Sequence, residues 1–320
     1  MPQERRSWEL ASSSCEDLAD SRRLSFYPGG VSSNDSLRQA SRRHSKSRLA
    51  FFRSVERAAS VLGGRALYER WFLGPNRFVQ REEAVPTREL ASDLDGFTIA
   101  HLSDFHGGPF LGPGGLRHVV DAVNERQVDL CLLTGDYLTH HWSEAVGITE
   151  DLGRLQSRFG TFAVFGNHDY QDHEDARIVE AYGGVGIRFL RNETVRIECG
   201  AGTVALVGVE DLEEGPTCDL DRARGGVQAG DLEVVLSHNP RGAAAISQVG
   251  SRLVLSGHTH GMQIDLPILR TMGPAHPGLR VELGGTTLIV TRGVGVVGVP
   301  FRFRAPAEVV FVTLEQNDAR

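Results

Sequence analysis

The chain has 320 residues, a formal net charge of −7, 40% apolar residues and 23% charged residues. This is the profile of a soluble globular protein with one large domain plus appendages, and it excludes a disordered or fibrous chain. The acidic balance argues against a general nucleic-acid binder, and no nucleic-acid partner is expected.

Cys15, Cys131, Cys199 and Cys218 form no CxxC pair, so neither a zinc–thiolate site nor a disulfide framework is expected. Cys131, inside an apolar run, reads as a buried thiol. No apolar stretch reaches the ~20 residues that span a bilayer. The start, MPQERRSWEL, has no apolar core, and Arg22-Arg23 is followed by FYPGGVSSND where a twin-arginine signal needs an apolar segment. A reduced, cytoplasmic setting follows as the expectation.

Residues 1–48 carry nine Lys/Arg against six Asp/Glu, are rich in serine and glycine, and show no apolar periodicity. Such a stretch buries too little to offset its ordering entropy and reads as a disordered tail. Over 49–94 the expectation is a helical segment and linker. Phe51, Val55, Ala58 and Leu62 recur at helical steps, Gly63-Gly64 interrupts, and Ala66, Leu67, Trp71 and Phe72 continue. Arg48, Arg53 and Arg57 flank the apolar face. Residues 48–73 therefore read either as a helix packed on the following domain or as a peripheral membrane contact.

From about residue 95 apolar, β-branched runs alternate with helical patterns. Strands are predicted at 97–102, 130–133, 162–165, 204–209, 234–236 and 253–255, and near the end at 279–283, 288–291 and 309–314. Helices are predicted at 116–126, 144–158, 176–182 and 243–249. This alternation predicts an α/β fold with covered sheets, whose ligands lie at the carboxyl ends of strands.

Those ends carry the chemistry. The first run leads into Ser103-Asp104-Phe105-His106, the second into Gly135-Asp136 and the third into Gly166-Asn167-His168-Asp169. The fifth leads into Ser237-His238-Asn239 and the sixth into Gly257-His258-Thr259-His260. Each of these five ends delivers a carboxylate, carboxamide or imidazole. On extended backbone, side chains at i and i+2 share a face, so His258 with His260, and Asp104 with His106, are expected to aim at one spot. Imidazole, carboxylate and amide oxygen without thiolate suit manganese, iron or zinc, and also magnesium. There are donors enough for two ions, a pair that clamps an in-line phosphoryl displacement.

The ordered series DxH, GD, GNHD, H and GHTH resembles the calcineurin-like metallophosphoesterase superfamily over roughly residues 95–314. LSDFH, SHNP, SGHTHG, TRGVG and PFRF resemble a bacterial branch with phosphodiesterase-like and lipid-linked members. The resemblance implies a two-sheet α/β sandwich over 95–320, with a dinuclear metal site at the strand carboxyl ends. It implies that Asp104, His106 and His260 hold one divalent metal ion. Asn167, His238 and His258 would hold the other, with Asp136 bridging both.

By the same resemblance His168 protonates the leaving oxygen or stabilises the transition state, and Asp169 orients its surroundings. The implied activity is hydrolysis of a phosphodiester or phosphomonoester by a metal-bridging hydroxide. The alternatives are a nucleotide-linked lipid pyrophosphatase, such as a UDP-2,3-diacylglucosamine hydrolase, and a metal-binding scaffold without turnover. The implied partner is a phosphorylated small-molecule or lipid-linked substrate.

His101 reads as a core or supporting residue, His118 as exposed, and His140, His141 and His173 as loop residues. Arg292, in TRGVG, reads as structural. One departure stands out: relatives of this branch commonly read GHTHGGQ, whereas here Gly261-Met262-Gln263 adds bulk beside the last histidine. Residues 264–285, rich in proline and glycine, are expected to form a lip over the site.

Overall fold

The computed structural model describes residues 46–269 and 276–317, with backbone alone at 46–53 and 269. The tail expected over 1–48 lies outside these residues, apart from 46–48, which open the first helix. Helix α1 (Lys46–Val61) and helix α2 (Gly64–Phe72) meet at Gly63, whose φ of 91° suits glycine. Both pack inward. Tyr68 and Leu73 are fully buried among Leu102, Phe105 and Phe110, and Tyr68 Oη donates to Val294 O at 2.5 Å.

Residues 79–87, expected as part of a linker, instead form strand β1 (Val79–Thr87), which pairs in parallel with the last strand over nine residues. Its sequence, VQREEAVPT, has no apolar run to betray it, because an edge strand buries little. The strands that follow are β2 (Thr98–Leu102), β3 (Leu130–Leu133), β4 (Thr161–Ala163), β5 (Ile187–Phe189), β6 (Glu193–Cys199) and β7 (Gly202–Gly208). After these come β8 (Leu232–Leu236), β9 (Leu253–Ser256), β10 (Arg280–Leu283), β11 (Thr286–Val290) and β12 (Glu308–Gln316).

They form two six-stranded sheets, ordered β1-β12-β2-β3-β4-β5 and β10-β11-β9-β8-β7-β6. In the first sheet β12–β2 is the antiparallel pair; in the second the outer pairs β10–β11 and β6–β7 are antiparallel. The architecture is the two-sheet α/β sandwich expected.

Helix α3 (Arg117–Glu125) links β2 to β3, and α4 (Trp142–Val146) with α5 (Thr149–Leu152) links β3 to β4. Helix α6 (Asp175–Gly183) follows β4, α7 (Leu220–Ala223) follows β7, and α8 (Ala243–Gln248) lies between β8 and β9. The single helix expected over 144–158 is two short ones, because Gly147 and Gly153 terminate them and no regular structure follows to residue 160.

The strand runs alternate between two apolar layers. Ile99, Leu130, Leu132, Leu253, Leu255 and Ile289 face the space between the sheets. Ala100, Leu102, Cys131 and Leu133 face α3–α6 on one outside, whereas Val254 and Val235 face Ile246 of α8 on the other. Burial on both faces explains continuous apolar runs in place of alternating ones. Register sets the site: Leu102 lies opposite Leu133, Leu133 opposite Ala163, and Leu236 opposite Leu255. Strands that end level bring the residues just beyond them together.

Candidate metal centre

The loops beyond β2, β3 and β4 of one sheet and β8 and β9 of the other meet at this end. The centre is built on strained backbone. Asp104, His106, Asp136, His258 and His260 all have positive φ, between 47° and 68°. Left-handed backbone costs a non-glycine residue about 1–2 kcal/mol, so five such residues in one cluster mark a place where packing enforces the geometry. The reason proposed for the paired ligands is therefore corrected. Asp104/His106 and His258/His260 do not share a face of extended strand; each lies in a left-handed loop.

Glycines beside the ligands serve close approach. A Cβ on Gly257 would fall onto the Ser103 hydroxyl and the Asp104 carboxylate, and one on Gly166 onto the Asp136 carboxylate. The approach lets His258 N donate to Asp104 Oδ1 at 2.9 Å and His168 N to Asp136 Oδ1 at 2.9 Å.

Asp104, His106, Asp136 and His260 offer one ligand atom each within 4.8 Å of one another, and all four are buried. His260 Nε2 lies 3.3 Å from Asp104 Oδ1, 2.9 Å from His106 Nε2, and His106 Nε2 lies 3.5 Å from Asp136 Oδ2. His238 Nε2 lies 3.3 Å from that same oxygen, Asp136 Oδ2, and His258 Nδ1 lies 2.9 Å from Asn167 Oδ1. The His238 and His258 rings are 5.2 Å apart, edge to face. Asp136 thus stands between two groups of donors. His168 completes the cluster, its ring 4.7 Å from that of His106.

All eight side chains singled out by the sequence lie together, and they suit divalent cations. His238 Nδ1 donates to Thr134 O at 2.6 Å, which turns the buried Nε2 toward Asp136. Burial, followed by the charge of His168, holds His106 well below the usual imidazole range. Burial with His106 does the same to His260, and burial with His238 takes His258 down to about 4. These imidazoles are neutral donors with lone pairs to offer.

Burial raises Asp104 to about 6. Burial also works to raise Asp136, but the charges of His238 and His168 outweigh it and hold the carboxyl well below its ordinary value. Burial alone would lower His238, yet the carboxylates of Asp136, Asp104 and Asp211 pull it well above 6.5. Facing neutral nitrogens and crowded carboxylates call for positive charge, which cations supply.

Supporting residues fix the shape. Asp169, fully buried, accepts backbone N–H groups from Asp136 and Gly166 at 2.8 Å, Tyr137 at 2.7 Å and Leu138 at 3.4 Å. His168 Nδ1 lies 3.1 Å from Thr139 O and 3.0 Å from Gln171 Nε2, which fixes the ring. His101 is buried against Thr134 Oγ1 at 2.8 Å, and Arg292 is paired with the buried Glu308 at 2.6 Å. His140 reaches Glu56 of α1 at 2.5 Å, while His141 caps α4. His118 is half-buried rather than exposed, and His173 is exposed on its loop.

One loop escaped the sequence reading. The fourth apolar run becomes β7 and ends in Glu210-Asp211-Leu212-Glu213. Asp211 is buried with Oδ2 unpartnered, and its charge acts on both His238 and His258. Glu213 Oε1 lies 3.9 Å from His258 Nε2 and accepts from Asn239 Nδ2 at 3.1 Å. Two carboxylates at a sixth strand end were the available signal.

The profile of the calcineurin-like phosphoesterase family matches residues 97–262. YkuE, a metallophosphoesterase of Bacillus subtilis (strain 168), is 27% identical over 83% of this chain and 96% of its own length. A zebrafish (Danio rerio) transmembrane protein with metallophosphoesterase domain is 31% identical over 72% of this chain, which spans 56% of that protein. A metallophosphoesterase of Helicobacter pylori (strain J99 / ATCC 700824) is 31% identical over 68% of this chain and 59% of its own. The chain belongs to the calcineurin-like phosphoesterase family.

Proposed function

We propose that the protein hydrolyses a phosphoester, a diester or a monoester, at a dinuclear metal centre. The observation that supports this most is the position of Asp136 between Asp104/His106/His260 and Asn167/His238/His258. Asp104, His106 and His260 would hold one divalent cation and Asn167, His238 and His258 the other, with Asp136 serving both. Donors of this kind without thiolate favour manganese, iron or zinc over magnesium. Two such cations would supply Lewis acidity to phosphoryl oxygens and make water more acidic.

The chain's own residues do the rest. Asn167 turns its carbonyl oxygen toward the second donor group and leaves its amide hydrogens for a phosphoryl oxygen. His168 Nε2, steered by the Thr139 carbonyl, gives a proton to the departing oxygen. Asp169 holds the 135–138 backbone and Gly166 in register. The test is a panel of monoester, diester and pyrophosphate substrates with manganese, iron, zinc or magnesium. Metal-dependent turnover on at least one is expected; failure on all would leave the metal-binding scaffold in its place.

A second reading, a nucleotide-linked lipid pyrophosphatase, is favoured by the apolar residues that follow the last ligand, Leu266 and Ile268, both exposed. A pyrophosphate-linked lipid preferred over a soluble diester would decide for it.

A further inference from the structure

Ten large apolar side chains are exposed among the described residues, and eight of them fall in two stretches, 61–71 and 266–303. In the first, Val61 and Leu62 at the α1–α2 turn are 81% and 87% exposed, and Trp71 is 58% exposed. In the second, Ile268 is 82% and Phe301 47% exposed. The stretches adjoin, for Phe301 meets Phe72 of α2 edge to face at 6.0 Å, and Asp265 N donates to Phe303 O at 3.0 Å. Scattered apolar residues on a surface mean little, whereas a concentration of this kind marks a contact.

On the helical side of it the exposed charge is basic. Residues 46–72 hold six Lys/Arg and two acids. Both acids turn inward: Glu56 is buried and bonded to His140 and Gly298 N, and Glu69 accepts from Gly112 N at 3.2 Å. Arg57, Arg65, Arg70 and Arg77 are exposed, and the Arg77 guanidinium lies 5.8 Å from the Trp71 ring. A tryptophan and aliphatic side chains fringed by arginine match the boundary between acyl chains and anionic headgroups. No described helix is long and apolar enough to cross a membrane, so the contact would be peripheral.

The second stretch starts near the metal centre in the chain, since Leu266 follows His260 by six residues, and the buried Arg302 between Phe301 and Phe303 has Nη1 3.5 Å from His260 O. We infer that the α1–α2 turn, Trp71 and the exposed apolar side chains of 266–268 and 301–303 dock on an anionic lipid surface, with the metal centre beside it. The apolar side chains enter the headgroup boundary and the arginines bind lipid phosphates. A phosphoester carried by that surface reaches the centre without leaving it, a consequence that rests on the phosphoesterase reading.

Flotation of the full chain with vesicles tests this, comparing phosphatidylcholine alone with phosphatidylcholine mixed with phosphatidylglycerol. The chain should float with the anionic vesicles and lose most of that recovery at high salt. Leu62→Ser with Trp71→Ser, and separately Arg57→Gln with Arg70→Gln, should each weaken binding on the order of tenfold. Metal content and hydrolysis of bis(p-nitrophenyl) phosphate should stay unchanged in both variants.

Equal recovery on both vesicle types, or full binding by both variants, would overturn the inference. So would a dimer seen by sedimentation velocity that needs Leu62 and Trp71 while vesicles bind nothing. Loss of hydrolysis in every form, with flotation intact, would count against the phosphoesterase reading and leave the docking surface standing.

Discussion

At the scale of single residues, three side chains carry distinct and separable effects. His168 is proposed to give a proton to the leaving oxygen without holding a metal, so His168→Asn should lower kcat by about 10²–10⁴ while metal content stays at the wild-type level. Loss of metal in that variant would move His168 among the ligands. Met262 has a φ of 75° beside His260. Met262→Gly should therefore keep the metals, relieve about 1 kcal/mol of backbone strain, and alter preference among substrates; a thermal melt and the substrate panel read both effects.

His101 supplies a pH dependence. Burial, with Arg81 nearby, lowers it from 6.5 to about 3, so the folded chain holds it neutral where the unfolded chain protonates it. Its contribution is therefore fully present above 6.5 and fades as pH falls from 6.5 toward 3. Between pH 7 and 5 that loss is about 2 kcal/mol, and His101→Gln should flatten the fall in denaturant midpoint by that share.

At the scale of elements, the fold rests on strands buried on both faces. Leu132 of β3 is fully buried between the sheets, and Leu132→Ala should cost about 2–5 kcal/mol in chemical denaturation. These same strands were legible in the sequence, because double burial demands unbroken apolar runs such as Leu130–Leu133 and Leu253–Leu255. The elements that were missed have the opposite character. β1 lies at a sheet edge and carries Arg81, Glu82 and Glu83, while β5 is three residues long, with Arg188 exposed at its centre.

The site was legible for a related reason. Each ligand stands directly after an apolar run, where the run itself announces the strand end. Its geometry was not legible, since nothing in DFH or HTH reveals that packing forces Asp104, His106, His258 and His260 into left-handed backbone. Asp211 and Glu213 were passed over because their strand end lacks histidine, although β7 stops at the same end of the sheet as its neighbour β8.

At the scale of the whole molecule, the two sheets are joined through the centre. β2, β3 and β4 would bring four of the proposed ligands and β8 and β9 the other three, so metal binding would tie one sheet to the other. Saturating metal should raise the melting temperature by several degrees, as expected when cations bind the folded chain alone, and chelation should reverse it.

Counting metal ions on purified protein shows most directly whether Asp136 serves two cations at once. Wild-type chain loaded with manganese should hold two ions per chain, and Asp136→Asn should hold fewer than one and lose turnover by at least about a hundredfold. Two ions retained by Asp136→Asn, or a single ion in the wild-type chain at saturation, would contradict the account.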